Sequence, residues 1–287
     1  MRTLVSGVWR DFDRRAVKWD KIREMLRYSI PMIPTTIFWW VTSASDRFLL
    51  IAMKGEAING LYAAAYKVPT LLTLVCTVFI EAWQFSAVLE KDETERATFF
   101  TRVFGGFQGL IFMAASGLTL LSIPVTKILL ADSYFDSWQY IPSLALAMAF
   151  SALVTFLGSV YMVSKKSMYS FLTAAIGAVV NIVFNLLLIP KYSAMGAAIA
   201  TVISYFVVLA IRGVHTVKLV KFRLGLPRLV FNVAALVGQS ILMLSDLRLR
   251  FVWSALIFAA ILAVNGQLIF GVALEALRNL RKKTKKS

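Results

Sequence analysis

Four ionisable residues lie inside apolar stretches near the start of the chain, and they are Asp46, Arg47, Lys67 and Glu81. A charged side chain within a bilayer costs about 2.5–3.5 kcal/mol on insertion scales, so a membrane protein retains one where it has a function or a partner. The chemistry that these residue types allow is contact with a charged substrate or ion, or an internal salt bridge between two helices.

The spacing of these residues fits both uses. Asp46 and Lys67 lie about ten residues before and after a turn at residues 55–59, which places each roughly 15 Å from the turn at 1.5 Å per residue. An Asp46–Lys67 ion pair is therefore compatible with the spacing, and it would leave Arg47 free to face a cavity. Glu81 lies on nearly the same helical face as Lys67 but about 21 Å deeper. Such a face is typical of the wall of a polar cavity.

The elements that carry these residues must cross a membrane. The chain has 287 residues, of which 59% are hydrophobic and 16% charged, whereas soluble domains have about 45–50% apolar and about 25% charged residues. None of the apolar runs alternates with period two, and backbone groups in lipid must be satisfied locally, so the runs predict helices. We predict an all-α integral membrane protein with eight transmembrane helices, near residues 28–53, 59–88, 99–123, 138–163, 168–190, 194–215, 229–246 and 250–275.

The basic residues orient these helices. The formal net charge is +16, and most Lys and Arg residues, with Arg212 counted among them, fall at alternate ends of the predicted helices. Positive charge collects in cytosolic loops, so both termini are expected in the cytosol and nucleic acid is not an expected partner. The loops hold no nucleotide-binding or zinc-protease motif, and the single cysteine and single histidine predict neither a disulfide framework nor a metal site. The sequence thus predicts no enzyme and no cofactor.

Prolines and tryptophans within the first runs have more than one use. Pro31, Pro34 and Pro69 remove helical hydrogen bonds, so they indicate either bent helices at a binding site or static kinks. Trp40 could stack on a sugar ring or anchor the helix at the membrane interface.

The later runs carry polar and small residues at helical spacing. Asn181 and Asn185 are four residues apart and share one face of a helix, which indicates hydrogen bonding between helices. Gly196 begins a face of small residues on the next helix, which is a packing signature.

The first apolar run also resembles a known family. Residues 26–50 read LRYSIPMIPTTIFWWVTSASDRFLL and are similar to the seventh helix of polysaccharide-exporting lipid flippases. These are the Wzx-like transporters of O-antigen and polysaccharide biosynthesis in the MOP superfamily. The family pattern has two prolines followed by an Asp-Arg pair, matched here by Pro31, Pro34, Asp46 and Arg47.

Two further stretches carry the same resemblance. Residues 60–72 read GLYAAAYKVPTLL, and residues 181–205 read NIVFNLLLIPKYSAMGAAIATVISY. The positions that match the family patterns are Gly60, Tyr62, Ala65, Lys67, Asn181, Asn185, Pro190, Gly196 and Thr201. The motifs follow one another in order between residues 26 and 205, and the resemblance extends over essentially the whole chain.

The resemblance implies a domain organisation. It assigns residues 1–27 to a cytosolic or interfacial linker and residues 28–215 to the second six-helix bundle of a MOP-type transporter. Residues 216–276 form a cytosolic loop with two additional transmembrane helices, and residues 277–287 form a basic cytosolic tail. A first bundle is expected to come from an N-terminal lobe missing from this sequence or from a partner membrane protein, so the chain is expected to be partial.

The resemblance also implies a function. Such a flippase moves a polyprenyl-pyrophosphate-linked oligosaccharide across the bacterial cytoplasmic membrane by alternating access between two lobes. Arg47 and Lys67 would attract the pyrophosphate or acidic sugars, with Asp46 holding one of them in place and Trp40 touching the cargo. Glu81 and Asp46 are the candidates for ion coupling. The alternatives are half of a multidrug exporter, a membrane enzyme that acts on lipid-linked glycans, and a non-transporting scaffold of a glycan-assembly complex.

Overall fold

The structure is a computed structural model that describes residues 19–89 and 93–266, with the side chains of residues 81–94 left out. Every regular element in these ranges is a helix. They are α1 (Trp19–Ser29), α2 (Met32–Lys54), α3 (Glu56–Lys67), α4 (Leu71–Leu89), α5 (Glu93–Leu120), α6 (Ser122–Leu129), a 3₁₀ segment (Asp132–Tyr140), α7 (Ile141–Val163), α8 (Ser167–Val220), α9 (Leu226–Leu244) and α10 (Arg250–Gly266). The all-α prediction is confirmed for this part of the chain.

Several of these helices are suited to a membrane. Within the described ranges, 4 helices are long and apolar enough to span a bilayer, or up to 5 if α3 and α4, bent by 41°, form one span. The predicted count of eight is therefore not confirmed, although the described parts of the predicted apolar runs are mostly helical, and residues 267–275 of the last run lie outside the described residues. The chain is a multi-pass membrane protein.

The longest helix, α8, folds back on itself. Its 54 residues would extend about 81 Å if straight, far more than the roughly 30 Å of a bilayer core. Ser193 leaves the helical region with φ 54° and ψ −135°, and the Ser204 hydroxyl donates to the Gly177 carbonyl at 3.0 Å. Residues 167–192 and 194–220 are therefore two antiparallel arms of a helical hairpin.

The turn of this hairpin depends on small and tethered residues. A Cβ atom added to Gly196 would collide with the backbone of Leu188 on the other arm, so the two arms approach each other without a side chain between them. Beside the turn, the Lys54 ammonium donates to the Pro190 carbonyl at 2.9 Å. The end of α2 is thus attached to the end of the first arm.

The prolines of the first helices do not all bend them. Pro31 is the N-cap of α2 and Pro34 lies in its first turn, where backbone N–H groups have no partner within the helix. These two prolines therefore start a helix instead of kinking one. Pro69 lies in the break between α3 and α4, where the chain bends by 41°.

Two groups of buried apolar residues hold the helices together. One is rich in aromatic rings, with Phe104 and Phe107 of α5 each packed against Phe156 of α7 at centroid distances of 5.2 and 5.4 Å. The other joins α2, α3, α7 and α8 through fully buried residues that include Leu50 and Ile189. This second group surrounds the site described below.

A surface ion pair joins α1 to the loop before α8. The Lys165 ammonium lies 2.9 Å from a Glu24 carboxylate oxygen, with both side chains exposed. Lys165 lowers the pKa of the Glu24 carboxyl by donating this hydrogen bond. The contribution to stability is therefore present above the ordinary pKa of a glutamate and is lost as the pH falls through the lowered value, and solvent keeps it small.

The hairpin contact at Gly196 predicts an unusual response to alanine. Alanine normally favours a helix over glycine by about 1 kcal/mol, but Gly196→Ala should lower the free energy of unfolding by roughly 1–3 kcal/mol because the new methyl group overpacks against backbone. The control is Gly238→Ala in α9, where an added Cβ meets nothing within 4 Å. Thermal unfolding of both variants in detergent checks this, and equal melting temperatures would contradict the close approach.

Candidate functional site

Asp46 of α2 is the centre of a buried polar cluster. The residue is 1% exposed, and its carboxylate accepts four hydrogen bonds. The donors are the Tyr62 hydroxyl at 2.7 Å, the Thr201 hydroxyl at 2.6 Å, the Asn185 amide at 2.7 Å and the Asn181 amide at 3.2 Å. An ionised carboxylate has about four lone-pair positions, so these donors satisfy it.

The sequence brings these donors together through helix geometry. Asn181 and Asn185 are one turn apart on the first arm of α8, and Asn185 donates to the Asn181 side-chain oxygen at 3.1 Å. The break at Ser193 places Thr201 of the second arm opposite Asn181, at 3.4 Å. Tyr62 reaches the same carboxylate from α3, so one side chain joins α2, α3 and both arms of the hairpin.

Of the two uses that the spacing allowed, the Asp46–Lys67 ion pair is not formed. Asp46 faces the hairpin, and all four of its donors are uncharged. Tyr62 is the α3 residue directed at Asp46, and Lys67 follows five positions later, which is about 140° around the helix. Lys67 therefore lies on a different face of α3 from the Asp46 contact, and its side chain is exposed.

Arg47 and Trp40 lie on a different side of α2 from Asp46, about 100–120° around the helix axis. Both are exposed, and Trp40 is 62% exposed. Their separation of seven residues is about two helical turns, so they share one face. The Arg47 guanidinium lies 5.4 Å from the centroid of the Tyr66 ring, and Trp40 meets Phe48 edge-on at 6.5 Å. Trp40 and Arg47 of α2, together with the exposed Lys67 of the neighbouring helix α3, are called the exposed cationic face below.

The remaining predicted site residues are placed as follows. Glu81 lies in α4, but its side chain is outside the described residues. Pro190 and Gly196 flank the hairpin turn. Tyr62 and Thr201 are contacts of Asp46 that reasoning on single residues did not identify, although both occupy positions of the family motifs.

The Asp46 cluster is suited to a proton or a monovalent cation. It supplies carboxylate, amide and hydroxyl oxygens, and the buried side-chain oxygen of Asn185 has no hydrogen-bond partner. Such hard oxygen ligands do not favour transition metals, and the described residues contain no group of three His, Cys, Asp or Glu side chains that could hold one.

Comparisons with known proteins agree with this architecture. A sequence model of the polysaccharide biosynthesis protein family matches residues 3–139. A search of curated protein sequences found no match. The family match covers a little under half of the chain and supports the resemblance to polysaccharide-exporting flippases there.

A solved structure shows the same fold over more of the chain. The protein is similar to the lipid II flippase MurJ in an inward closed conformation, with a TM-score of 0.60, 16% identity and coverage of 90% of this chain. The chain spans 56% of that flippase. At this identity the likeness shows a shared helical fold over the part of that structure which the chain spans.

The hydrogen bonds to Asp46 predict the effect of removing one donor. Thr201→Val keeps the shape of the side chain but removes the hydroxyl, and it should lower the free energy of unfolding by about 1.5–3 kcal/mol, the range for hydrogen bonds to charged groups. Thr77→Val is the control, because the Thr77 hydroxyl is exposed and donates to the Thr73 carbonyl of its own helix. Urea or thermal unfolding in detergent measures the difference, and a Thr201→Val variant as stable as the control would refute this assignment.

Proposed function

We propose that the chain is one lobe of a transporter that moves a polyprenyl-pyrophosphate-linked oligosaccharide across the bacterial cytoplasmic membrane. In this proposal both termini lie in the cytosol. The facing wall of the cavity comes from an N-terminal lobe or from a partner membrane protein. The family match over residues 3–139 and the flippase fold support the proposal.

The exposed cationic face is the main observation that supports this transport proposal. Arg47 and Lys67 are exposed on α2 and α3, two helices that the proposal places in the membrane, and Asp46 is hydrogen-bonded elsewhere. An exposed cation in hydrocarbon is unfavourable, whereas in a water-filled cavity it attracts an anion. Arginine binds phosphate through two parallel hydrogen bonds, and a lipid-linked pyrophosphate supplies the matching charge. The same cations repel the organic cations that a multidrug exporter would carry.

Trp40 is the proposed contact for the sugar part of the cargo. Its ring is exposed on the same face as Arg47, two turns away, and about 10 Å separates the two positions along the helix. This distance suits a ligand whose pyrophosphate meets Arg47 while a sugar ring packs on the indole. We assign Trp40 to sugar contact on this geometry.

The Asp46 cluster is the proposed coupling site. It joins α2, α3 and both arms of α8, so a change of its charge acts on all four segments at once. A proton or a monovalent cation at the carboxylate would displace donors, and an asparagine amide can present its oxygen instead of its nitrogen after a 180° turn. Binding of the ion would thus favour one arrangement of the helices over another.

The cargo proposal predicts a loss of binding when the cations are removed. Arg47→Ala and Lys67→Ala should each weaken binding of a polyprenyl-pyrophosphate-linked disaccharide by about tenfold or more, as expected for loss of a charge-assisted hydrogen bond. The measurement is titration of the protein in lipid nanodiscs. Lys127→Ala, an exposed lysine of α6, is the charge-matched control. Equal binding of the uncharged polyprenyl alcohol disaccharide by the unaltered protein would count against pyrophosphate recognition.

The coupling proposal predicts ion-dependent stability. Sodium at about 100 times its dissociation constant should add about 2.7 kcal/mol to the free energy of unfolding, and a proton can take its place at low pH. Asp46→Asn should remove both effects, whereas Glu56→Gln, an exposed carboxylate beside the α2–α3 turn, should keep them. Melting temperatures in sodium and in choline chloride, each over a range of pH, test this. Unaltered protein that responds to neither sodium nor pH would rule out the coupling role.

A further inference from the structure

A second buried charge lies in a cavity away from Asp46. The cavity has a volume of about 610 Å³ and lies between α2, α7 and both arms of α8. Arg212 of the second arm lines it and is 2% exposed. The distribution of basic residues along the sequence assigned Arg212 to a cytosolic loop. In the structure its side chain is buried among helices.

The partners of Arg212 are all uncharged. Its Nε–H donates to the Thr173 hydroxyl at 2.9 Å and one terminal nitrogen donates to the Val154 carbonyl at 2.8 Å. The other terminal nitrogen lies 3.5 Å from the Ser170 carbonyl. A guanidinium has five N–H groups, so at most three are used by these bonds and two remain for a further acceptor.

No acid balances this charge in the part of the chain whose side chains are described. The hydrogen-bond partners of Arg212 there are uncharged, and two aromatic rings lie near the guanidinium, with the Trp39 and Tyr161 ring centroids at 5.3 Å and 5.7 Å. Cation–π contacts offset part of the desolvation free energy of a buried cation, but a buried charge without a counter-ion still destabilises the fold. An anion from outside the chain would remove that cost.

The walls make room for the guanidinium and leave space beside it. A Cβ atom added to Gly158 of α7 would collide with a terminal nitrogen of Arg212, so glycine is what lets the charge lie against α7. Hydroxyl groups of Ser151, Thr155 and Ser159 and apolar side chains such as Met162 line the rest of the cavity. This mixture suits a ligand with a phosphate at one end and an apolar chain at the other.

The depth of the cavity fits a headgroup. Arg212 is eleven residues beyond Thr201 on the same arm, which is about 16 Å from the Asp46 cluster. Met162 and Ser170 lie within about one turn of the exposed lysines Lys165 and Lys166, which mark the end of these helices. The cavity is therefore near the polar boundary of the membrane, where lipid phosphates are found.

We propose that this cavity binds the phosphate group of an anionic lipid, with Arg212 as the principal contact and Trp39 covering the site. The site is separate from the exposed cationic face, and it requires no transport by the chain. The lipid phosphate has two possible sources, a bilayer phospholipid or the polyprenyl carrier of a glycan.

The test is native mass spectrometry of the full chain released from detergent with added phosphatidylglycerol, polyprenyl phosphate or diacylglycerol, which lacks a phosphate. The unaltered protein should retain one phosphate-bearing lipid, and Arg212→Gln should weaken that binding about tenfold or more, the effect of losing a charge-assisted contact. Arg228→Gln is the matched control, since Arg228 of α9 also donates to a backbone carbonyl, that of Gly105, at 3.0 Å.

A second variant covers the case in which Arg212→Gln does not fold. Thr155→Trp adds an indole to the cavity from an exposed position of α7 and leaves the Arg212 hydrogen bonds in place, so it should also release the lipid. Preference for phosphatidylglycerol would identify a bilayer lipid, and preference for polyprenyl phosphate the carrier, and either result supports the proposal. Equal retention by the unaltered protein, Arg212→Gln and Thr155→Trp, or equal retention of diacylglycerol, would overturn it.

Discussion

A buried carboxylate must be satisfied wherever a chain places one, and the structure around Asp46 follows from that requirement. Its four donors come from α3 and from both arms of α8. The donors can meet only if α8 breaks at Ser193 and folds back, and the arms can approach only if Gly196 has no side chain. Removing one partner of a buried charge costs more than the pair contributes, so the cluster fixes how these segments pack.

The position of Asp46 also determines what its neighbours are free to do. Because neutral dipoles satisfy the carboxylate, Arg47 and Lys67 are not needed as counter-ions and remain on an exposed face. Arg212 shows the complementary arrangement, a buried cation held by hydroxyl and carbonyl groups. Charges held by dipoles alone can exchange those partners for a ligand or an ion without breaking a strong ion pair. This property would serve the transport proposed above.

The sequence predicted the helices and part of the site for clear reasons. Apolar runs revealed the helices because lipid demands internally bonded backbone, and the spacing of Asn181 and Asn185 placed both on one face. The Asp46–Lys67 pair was wrong because counting residues from a turn gives depth but not rotation about the helix axis, and rotation directs Tyr62 to the carboxylate. The burial of Arg212 was not predicted because the sequence shows only that this residue lies near the predicted end of a helix, where basic residues are usually exposed. Its surroundings depend on α2 and α7, which are far away in sequence.

The central claim is that Asp46 is stabilised by neutral donors and is independent of Lys67. A double-mutant cycle measures this directly, using the unfolding free energies of the unaltered protein, Asp46→Asn, Lys67→Met and the double variant. Our account predicts that the two single effects add to within about 0.5 kcal/mol, as they do for residues without mutual contact. A coupling energy well above about 1 kcal/mol would show that the two charges interact, and it would contradict the separation of the buried cluster from the exposed cationic face.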